Sequence, residues 1–358
     1  MLELAEELVK RNYQVTVITT WPKYNLDQNS QSERYSEKIF ENGIVVIRVK
    51  TLPHHNVNFV VRGISQLIMP LQFILKLHQY KIQTDALIVY SPPLPLALVG
   101  SWLKRRKTRF VFNVQDLFPQ NAIDLGVLNN PLQIRFFRAL EGFAYRSADI
   151  VTAHSLGNKD TILRDYPNLG DKLQILHNWV DVDYYSSENV KIDFREKWGI
   201  KQKMIAVFAG VMGPSQYLEL ILYIAEQMQN ETELLFLLVG DGIEKENLKK
   251  NVKAKSLNNV LFKGFVSRES YRDLLKICSI GLVCLNPKNQ TPVIPGKILG
   301  YMSAKLPILA LLHTSSDGHG VIKNAKCGFS ACSGDKDASV LAMQSLISKK
   351  ESFHTWFG

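Results

Sequence analysis

The chain has 358 residues, 46% hydrophobic and 21% charged, with a mean hydropathy of -0.06; this is ordinary globular composition, which excludes a disordered or fibrous chain, and the length predicts two domains. Lys and Arg number 43 against 33 Asp and Glu, for a net charge of +10, and no apolar run is long enough to predict a transmembrane span. The acidic opening Met1-Leu2-Glu3-Leu4 has no signal-peptide pattern, and the cysteines at 278, 284, 327 and 332 make no C-x-x-C pair or zinc spacing, which predicts a reduced, cytoplasmic compartment.

Leu2, Leu4, Ala5, Leu8 and Val9 have helical spacing, so the chain opens in a helix. Gln14–Thr19 reads as a buried strand. That first helix therefore reads as part of a βαβ unit whose opening strand would precede Met1. A polar stretch, Asn25–Glu37, leads to a strand at Ile44–Val49. Asn58–Leu75 is rich in apolar residues but interrupted by Arg62, Gln66 and Gln72; it is read as a core helix or as a helix lying on a membrane surface. Asp85–Tyr90 is a strand ending in Ser91-Pro92-Pro93, followed by a helix over Leu94–Arg106 and a strand over Arg109–Gln115. Strands alternating with helices predict a parallel sheet covered on both faces.

The same grammar restarts in the second half. Strands are predicted at Met204–Ala209, Glu233–Val239, Val260–Phe262, Ile280–Leu285 and Pro307–Leu311. Helices are predicted at Leu218–Met228, Glu244–Lys255, Glu269–Ile277 and Lys297–Ala304. The halves meet near His177–Asp183, with Tyr184–Gly199 as the linker. Two doubly wound sheets facing one another would create one cleft, and parallel sheets bind ligands at the carboxyl ends of their strands. The chemistry is therefore expected in the strand-end loops.

The basic excess is concentrated in residues 51–115, which carry eight Lys or Arg and one acid, Asp85. Its sharpest cluster is Lys104-Arg105-Arg106-Lys107, with Arg109 just beyond. This is a solvated basic face, or it attracts anionic lipid or a phosphorylated ligand. No zinc-finger spacing, RNP-like motif or long basic helix points to nucleic acid.

Four strand ends carry candidate chemistry. Ala209-Gly210-Val211-Met212-Gly213 falls between a strand and a helix, where glycines let the backbone approach a phosphate; alone it also reads as a tight turn. Val239-Gly240-Asp241-Gly242 repeats that position one unit later, as a ligand loop or as a turn needing positive φ. Pro295-Gly296-Lys297 places a cation in the first turn of a helix, against the dipole unless an anion arrives, which points to a diphosphate; the alternative is an exposed lysine. Asp116, past the strand that ends at Asn113-Val114-Gln115, is placed to act on a substrate hydroxyl or to cap a helix.

These motifs, with Leu117-Phe118-Pro119, Ser147-Ala148-Asp149-Ile150-Val151 and His177-Asn178-Trp179-Val180-Asp181, occur in an order that resembles the family 4 glycosyltransferases of GT-B fold. Similarity is greatest to the branch that builds bacterial surface polysaccharides, fucosamine-transferase-like and colanic-acid-type, and covers nearly the whole chain. The resemblance implies an α/β fold of two Rossmann-like doubly wound domains facing a cleft: an acceptor domain over 1–180, a linker over 181–200 and a donor domain over 201–358. It implies retaining transfer of a hexosyl or N-acetylhexosaminyl group from a nucleotide-diphosphate sugar to a lipid-linked or other saccharide acceptor. O-antigen, capsule or exopolysaccharide synthesis, including lipopolysaccharide, would be the setting, at the inner membrane face. Asp116 is the implied catalytic residue. Gly210, Gly213, Gln216, Gly240, Asp241, Phe265, Gly296 and Lys297 would hold the donor, and Ser91, Gln115 and His154 would lie on the acceptor side. No metal or other cofactor is implied, and no nucleic acid.

The chain departs from the family pattern in places. Relatives carry an Arg and a Lys for the diphosphate where Val211 and Gln216 stand, which shifts the charge onto Lys297. The glutamates usually found eight apart are Pro292 and Gly300, leaving the ribose contact unassigned, and a common histidine is Gln115. The family's first strand and its final crossover helix are missing, so both ends read as truncated. The alternatives left open are a GT-B-type sugar-nucleotide epimerase and an inactive relative.

Overall fold

The computed structural model describes residues 2–22, 35–53, 59–104, 107–186 and 190–349. The chain divides into two compact units. One comprises Met1–Pro119, Asn129–His154 and Ile162–Leu176; the other comprises Gln120–Leu128, Ser155–Thr161 and His177–Gly358.

In the first unit, helix α1 (Leu2–Lys10) packs on a sheet of β1 (Val15–Thr20), β2 (Lys38–Glu41) and β3 (Ile44–Val49), in the order β1-β3-β2. β1 and β3 are parallel, with Val15 opposite Ile44. β2 returns antiparallel through Asn42-Gly43, both at positive φ (51° and 80°). Asn-Gly is the residue pair that a two-residue hairpin turn prefers. The expected parallel sheet is therefore mixed here.

A second sheet holds β4 (Ala86–Ser91), β5 (Arg109–Val114), β6 (Ile150–Ala153) and β7 (Leu173–Ile175), all parallel and in sequence order. The helix expected over Leu94–Arg106 is a 3₁₀ turn, Leu94–Leu96, followed by α3 (Ala97–Lys104); Arg105 and Arg106 lie outside the described residues. Helix α2 (Phe59–Gln79) packs Met69, Phe73 and Leu77 against Val49 of β3 and Val99 and Leu103 of α3. Short α4 (Gln120–Asp124), which belongs to the second unit, precedes α5 (Pro131–Ser147) in the chain. Asn130 caps α5 by accepting from the backbone N–H of Leu132 and Gln133, with Pro131 preset for the first turn. Helix α6 (Leu156–Asp165) follows β6. Phe110, Phe112, Val114, Tyr145 and Val151 fill the core between them.

In the second unit six parallel strands, β8 (Met204–Ala209), β9 (Leu234–Val239), β10 (Val260–Lys263), β11 (Ile280–Cys284), β12 (Ile308–Leu312) and β13 (Gly328–Cys332), run in the order β10-β9-β8-β11-β12-β13. Every residue of β9, β11 and β12 is buried, because helices cover both faces. Phe208, Phe236 and Leu282 point into a core with α9 (Glu219–Gln227) and α14 (Lys336–Ser348). Val207, Leu237 and Val283 point into the opposite core, with α11 (Arg268–Lys276), α12 (Lys297–Ser303) and α13 (Gly318–Ala325). The charged helix α10 (Lys245–Ala254) buries Leu248. Each fully buried apolar side chain contributes about 1.5–3 kcal/mol, so this sheet is a rigid platform. The strand order reverses between β8 and β11, the switch point at which doubly wound sheets bind ligands.

The stretch expected to be a linker carries two short helices, α7 (Val182–Ser186) and α8 (Phe194–Trp198). Its described residues pack onto the second unit: Phe194 is buried in that unit's core, Asp193 caps α8, and buried Asp273 accepts from the backbone N–H of Lys191 and Ile192.

Candidate active site

In the second unit the predicted donor residues lie at the carboxyl ends of the strands. The loops after β8 and β9 are pressed backbone to backbone. Gly240 has φ 136°, and a Cβ there would stand 2.0 Å from the carbonyl oxygen of Gly210. The glycine is thus required both by dihedral and by close approach. The backbone N–H of Met212 donates to the Asp241 carbonyl at 2.8 Å, and that of Glu244 donates to the Met212 carbonyl at 3.1 Å, which stitches the two loops together. Asp241 turns its carboxylate to the backbone N–H of Gly242.

Lys297 opens α12 and reaches back beneath the β8 loop. Its Nζ donates to Gln216 Oε1 at 2.8 Å and lies 4.8 Å from the centroid of the Phe208 ring. A Cβ on Gly210 would meet its Cε at 2.7 Å, so the second glycine of this pair leaves room for the lysine. Burial beneath the loop, beside Phe208 and Gly210, pushes the ammonium down to about 8, against a smaller upward pull from Cys284. No carboxylate among the described residues offsets that charge. Gly213 and Gly296 share this edge and leave open surface: a Cβ at Gly296 would meet nothing within 4 Å, and at Gly213 only Val211, at 3.9 Å. Phe265, after β10, is partly exposed on the same edge.

Two residues of this edge went unread in the sequence. Asn286, just past β11, donates from Nδ2 to the Pro214 carbonyl at 2.9 Å and holds the turn that carries Gln216. Lys245 donates to the Gly240 carbonyl at 2.8 Å. A polar residue directly after a strand, and a lysine in the first turn of a helix, were the available signals.

In the first unit, the acceptor-side candidates also share one edge. Ser91 ends β4, Gln115 and Asp116 follow β5, and His154 follows β6, three neighbouring parallel strands. Ser91 and His154 are buried. The backbone N–H of Gln115 donates to the Ser91 carbonyl at 2.9 Å, and its side-chain amide turns inward to Asn113. Asp116 is exposed, yet desolvation by the protein around it raises its carboxyl above the ordinary aspartate range. It is not a helix cap: α4 begins at Gln120, and the backbone N–H of Phe118 goes to the Asp116 main-chain carbonyl.

The described residues of the basic cluster lie elsewhere. Lys104, Lys107 and Arg109 stand at the amino end of β5, the opposite edge from Asp116. Lys104 is engaged by Asp149 at 2.7 Å and by the Ser147 carbonyl. Helix α2 is two-faced. Ser65, Met69, Phe73 and Leu77 are buried, while Val61, Ile64, Leu67, Ile68, Leu71 and Leu75 are 38–60% exposed. Among the described residues no helix is long and apolar enough to cross a membrane, and no cluster of three or more His, Cys, Asp or Glu could hold a metal ion.

Comparison with known proteins matches both halves. Residues 1–179 match the family described as glycosyl transferase 4-like domain, and residues 190–356 match glycosyl transferases group 1. WbjE of Pseudomonas aeruginosa, named as a glycosyltransferase, is 25% identical over 291 residues, covering 79% of this chain and 71% of WbjE. WcaI of Escherichia coli (strain K12), named for colanic acid biosynthesis glycosyl transfer, is 24% identical over 332 residues, covering 84% and 76%. Among solved structures, the sucrose-phosphate synthase of Thermosynechococcus elongatus superposes with a TM-score of 0.75 at 15% identity, over 99% of this chain and 85% of that one. Anabaena HepE, solved with UDP and glucose, gives 0.64 at 16% identity, over 88% and 80%. At such identities the structures establish a shared α/β fold of GT-B type.

Proposed function

The chain belongs to the family 4-type glycosyltransferases of GT-B fold, and from that premise we propose that it moves a glycosyl group, with retention of configuration, from a nucleotide-diphosphate sugar to a lipid-linked or other saccharide acceptor. Bacterial surface-polysaccharide synthesis is the setting supported by the likeness to WcaI.

The observation that carries this reading is Lys297, a partly buried cation without a carboxylate partner among the described residues, set against paired glycine loops at the switch point of a doubly wound sheet. Burying a charge is costly unless an opposite charge meets it. A diphosphate there receives the ammonium, and its departure from the sugar is assisted as negative charge develops on the leaving oxygen. HepE holds UDP, which supports a nucleotide donor. The cation supplied by the chain itself is the reason to expect transfer without a metal ion. Asp116, at the strand ends of the first unit, is the group proposed to orient the attacking hydroxyl.

The exposed apolar face of α2 has Arg62 near its start and no acidic residue on its helix, while Lys76, near its end, is paired with Glu37 at 2.9 Å. That composition supports peripheral association with an anionic membrane, where a lipid-linked acceptor would be met.

The test is to incubate the full chain with UDP-, GDP- and dTDP-sugars and polyprenyl-diphosphate-linked saccharides, with and without EDTA. Products are read by mass spectrometry and anomeric configuration by NMR. The expected result is an acceptor one sugar heavier, an α-linkage from an α-donor, and no effect of EDTA. An altered nucleotide sugar without any acceptor product would identify an epimerase. No binding of any nucleotide sugar would identify an inactive relative.

A further inference from the structure

The four-stranded sheet of the first unit carries polar side chains where a parallel sheet is normally apolar. Val89 of β4, Phe112 and Val114 of β5, and Val151 and Ala153 of β6 belong to one core. Alternate residues along a strand face opposite sides, so Ile88 and Tyr90, Val111 and Asn113, and Ile150 and Thr152 share the other face. The register aligns them in two rows across the three strands: Ile88, Val111 and Ile150, then, nearer the carboxyl edge, Tyr90, Asn113 and Thr152. The first row is apolar and the second is wholly polar. Two residues further along the same face come Gln115 and His154. A strand of a parallel sheet favours a continuous apolar run, and the core face keeps one in the row between, Val89, Phe112 and Val151.

The polar row is short of partners. Asn113 is 2% exposed and Thr152 6%. Asn113 accepts from the Gln115 amide. The Tyr90 Oη and the Thr152 Oγ1 are both shut off from solvent, and neither has a hydrogen-bond partner among the described residues. A buried hydroxyl left unpaired destabilises the fold, so two in one row call for an explanation. Burial raises the Tyr90 phenol above its ordinary range. It is therefore neutral, and like Thr152 it can both donate and accept. No cation follows these strands closely: residues 92–96 and 115–119, after β4 and β5, include no Lys or Arg, and neither does His154-Ser155 after β6. Lys104, Lys107, Arg109 and Lys172 all stand at the amino edge. The charged residue directly after Gln115 is an acid, Asp116.

We propose that this polar row seats the sugar residue of the acceptor that carries the attacking hydroxyl, that this residue is a neutral sugar, and that Tyr90 and Thr152 read its ring hydroxyls. The proposal rests on Asp116 orienting that hydroxyl, and adds what kind of sugar bears it. Two strand spacings set Tyr90 and Thr152 about 10 Å apart at the backbone, a span across which one sugar ring can offer hydroxyls to both. Each sugar hydroxyl is a donor and an acceptor, and so is each orphan group that meets it. A uronate or a phosphate in the same place would find no counter-charge and would stand near the Asp116 carboxylate. A neutral ring avoids both costs.

The experiment is saturation-transfer NMR of the full chain, with and without UDP, against methyl glucoside, galactoside, mannoside and N-acetylglucosaminide, with methyl glucuronide as the charged counterpart. The same glycosides are then offered as acceptors with UDP-, GDP- and dTDP-sugars. The variants are Tyr90→Phe and Thr152→Val, each also melted and titrated with UDP. At least one neutral glycoside is expected to bind and the glucuronide not to. Each variant weakens that glycoside roughly 3–10-fold, the scale of one neutral hydrogen bond, and raises its KM as acceptor by a similar factor. Neither variant melts lower, since an unpaired buried hydroxyl is removed, and UDP affinity holds. Binding of the glucuronide as tight as that of the best neutral glycoside overturns the neutral-sugar assignment. Failure of every neutral glycoside to bind, or unchanged glycoside affinity in both variants, overturns the site; a lower melting temperature with unchanged affinity would make the hydroxyls structural. If neutral glycosides bind through Tyr90 and Thr152 but no donor extends them, the transferase reading fails and the sugar site stands. If a glycoside is extended equally well by both variants, the transferase reading stands and the site fails.

Discussion

The Nζ of Lys297 lies 2.8 Å from Oε1 of Gln216, so the side chain that satisfies this ammonium among the described residues is neutral. A neutral partner offsets less of the desolvation cost than a carboxylate would. The site therefore gains when an anion enters. Lys297→Ala is expected to weaken UDP binding by about 1–3 kcal/mol, the scale of a charge-assisted contact. The melting temperature should not fall to match, because a poorly compensated cation is removed. Titration calorimetry with parallel thermal melts checks both; unchanged UDP affinity would sink the assignment.

The same lysine predicts a pH dependence of binding. Its ammonium is pushed down to about 8 in the unliganded protein, and a bound diphosphate favours the charged form, raising that value. Below about 8 the lysine is already protonated and affinity is flat. Above it, each bound nucleotide must draw a proton from solution, and affinity falls by up to about tenfold per pH unit. The terminal phosphate, with a second pKa near ~6, is fully charged across that window and does not contribute. Titrations from pH 7 to 9.5 should show the fall in wild type. They should show none in Lys297→Arg, whose guanidinium stays charged.

Gly240 offers a test of the platform. A side chain at φ 136° is strained, and its Cβ would collide with the Gly210 carbonyl. Gly240→Ala should cost about 1–3 kcal/mol of stability and also displace the β8 loop. Denaturant unfolding reads the first effect and UDP affinity the second. A variant as stable as wild type would mean that the two loops are not in backbone contact.

What could be read from the residues alone depended on how local the signal was. Met204–Ala209 and Ile44–Val49 are continuous apolar runs, and both strands stand where the pattern predicts. The hairpin at Asn42-Gly43 carried a recognised turn signature and was still passed over, because exposed β2 lacks alternation. Asn130-Pro131, a capping residue before a proline, is an equally local signal for α5 that the sequence reading leaves unused. Other features were not local at all. Gln216 and Lys297 are 81 residues apart, and the buried carboxylate of Glu141 is satisfied by Arg138, Tyr145 and, from 25 residues away, Tyr166. Strand ends identify a candidate site; which side chains meet there follows from the sheet order.

Asp116 has lost its structural explanation and kept its functional one. No helix begins beside it, and its carboxyl has no hydrogen-bond or ion-pair partner among the described residues. Asp116→Asn should therefore leave the unfolding free energy within about 0.5 kcal/mol of wild type, as for a surface change. Turnover should fall about 10²-fold or more through lost acid–base or positioning assistance, while UDP affinity holds. Normal turnover per folded molecule would remove Asp116 from the mechanism.

The membrane prediction now rests on α2 more than on the basic cluster. Lys104 is engaged by Asp149, and Lys104, Lys107 and Arg109 lie at the amino edge of the sheet, away from Asp116. On α2, Ile64, Ile68, Leu71 and Leu75 are exposed at spacings of four, three and four, one stripe along a helix without an acid. A stripe of that kind inserts shallowly, and a neighbouring cation such as Arg62 adds about 1 kcal/mol against an anionic surface. In co-sedimentation, wild type should bind vesicles containing phosphatidylglycerol and release partly as salt rises. Ile68→Glu with Leu71→Glu should abolish binding without loss of thermal stability, because both side chains already face solvent. Charge reversal at Arg105 and Arg106 should lower only the salt-sensitive part. Equal binding to neutral and anionic vesicles would refute the charge contribution, and full binding by the α2 double variant would show that this face does not meet the membrane.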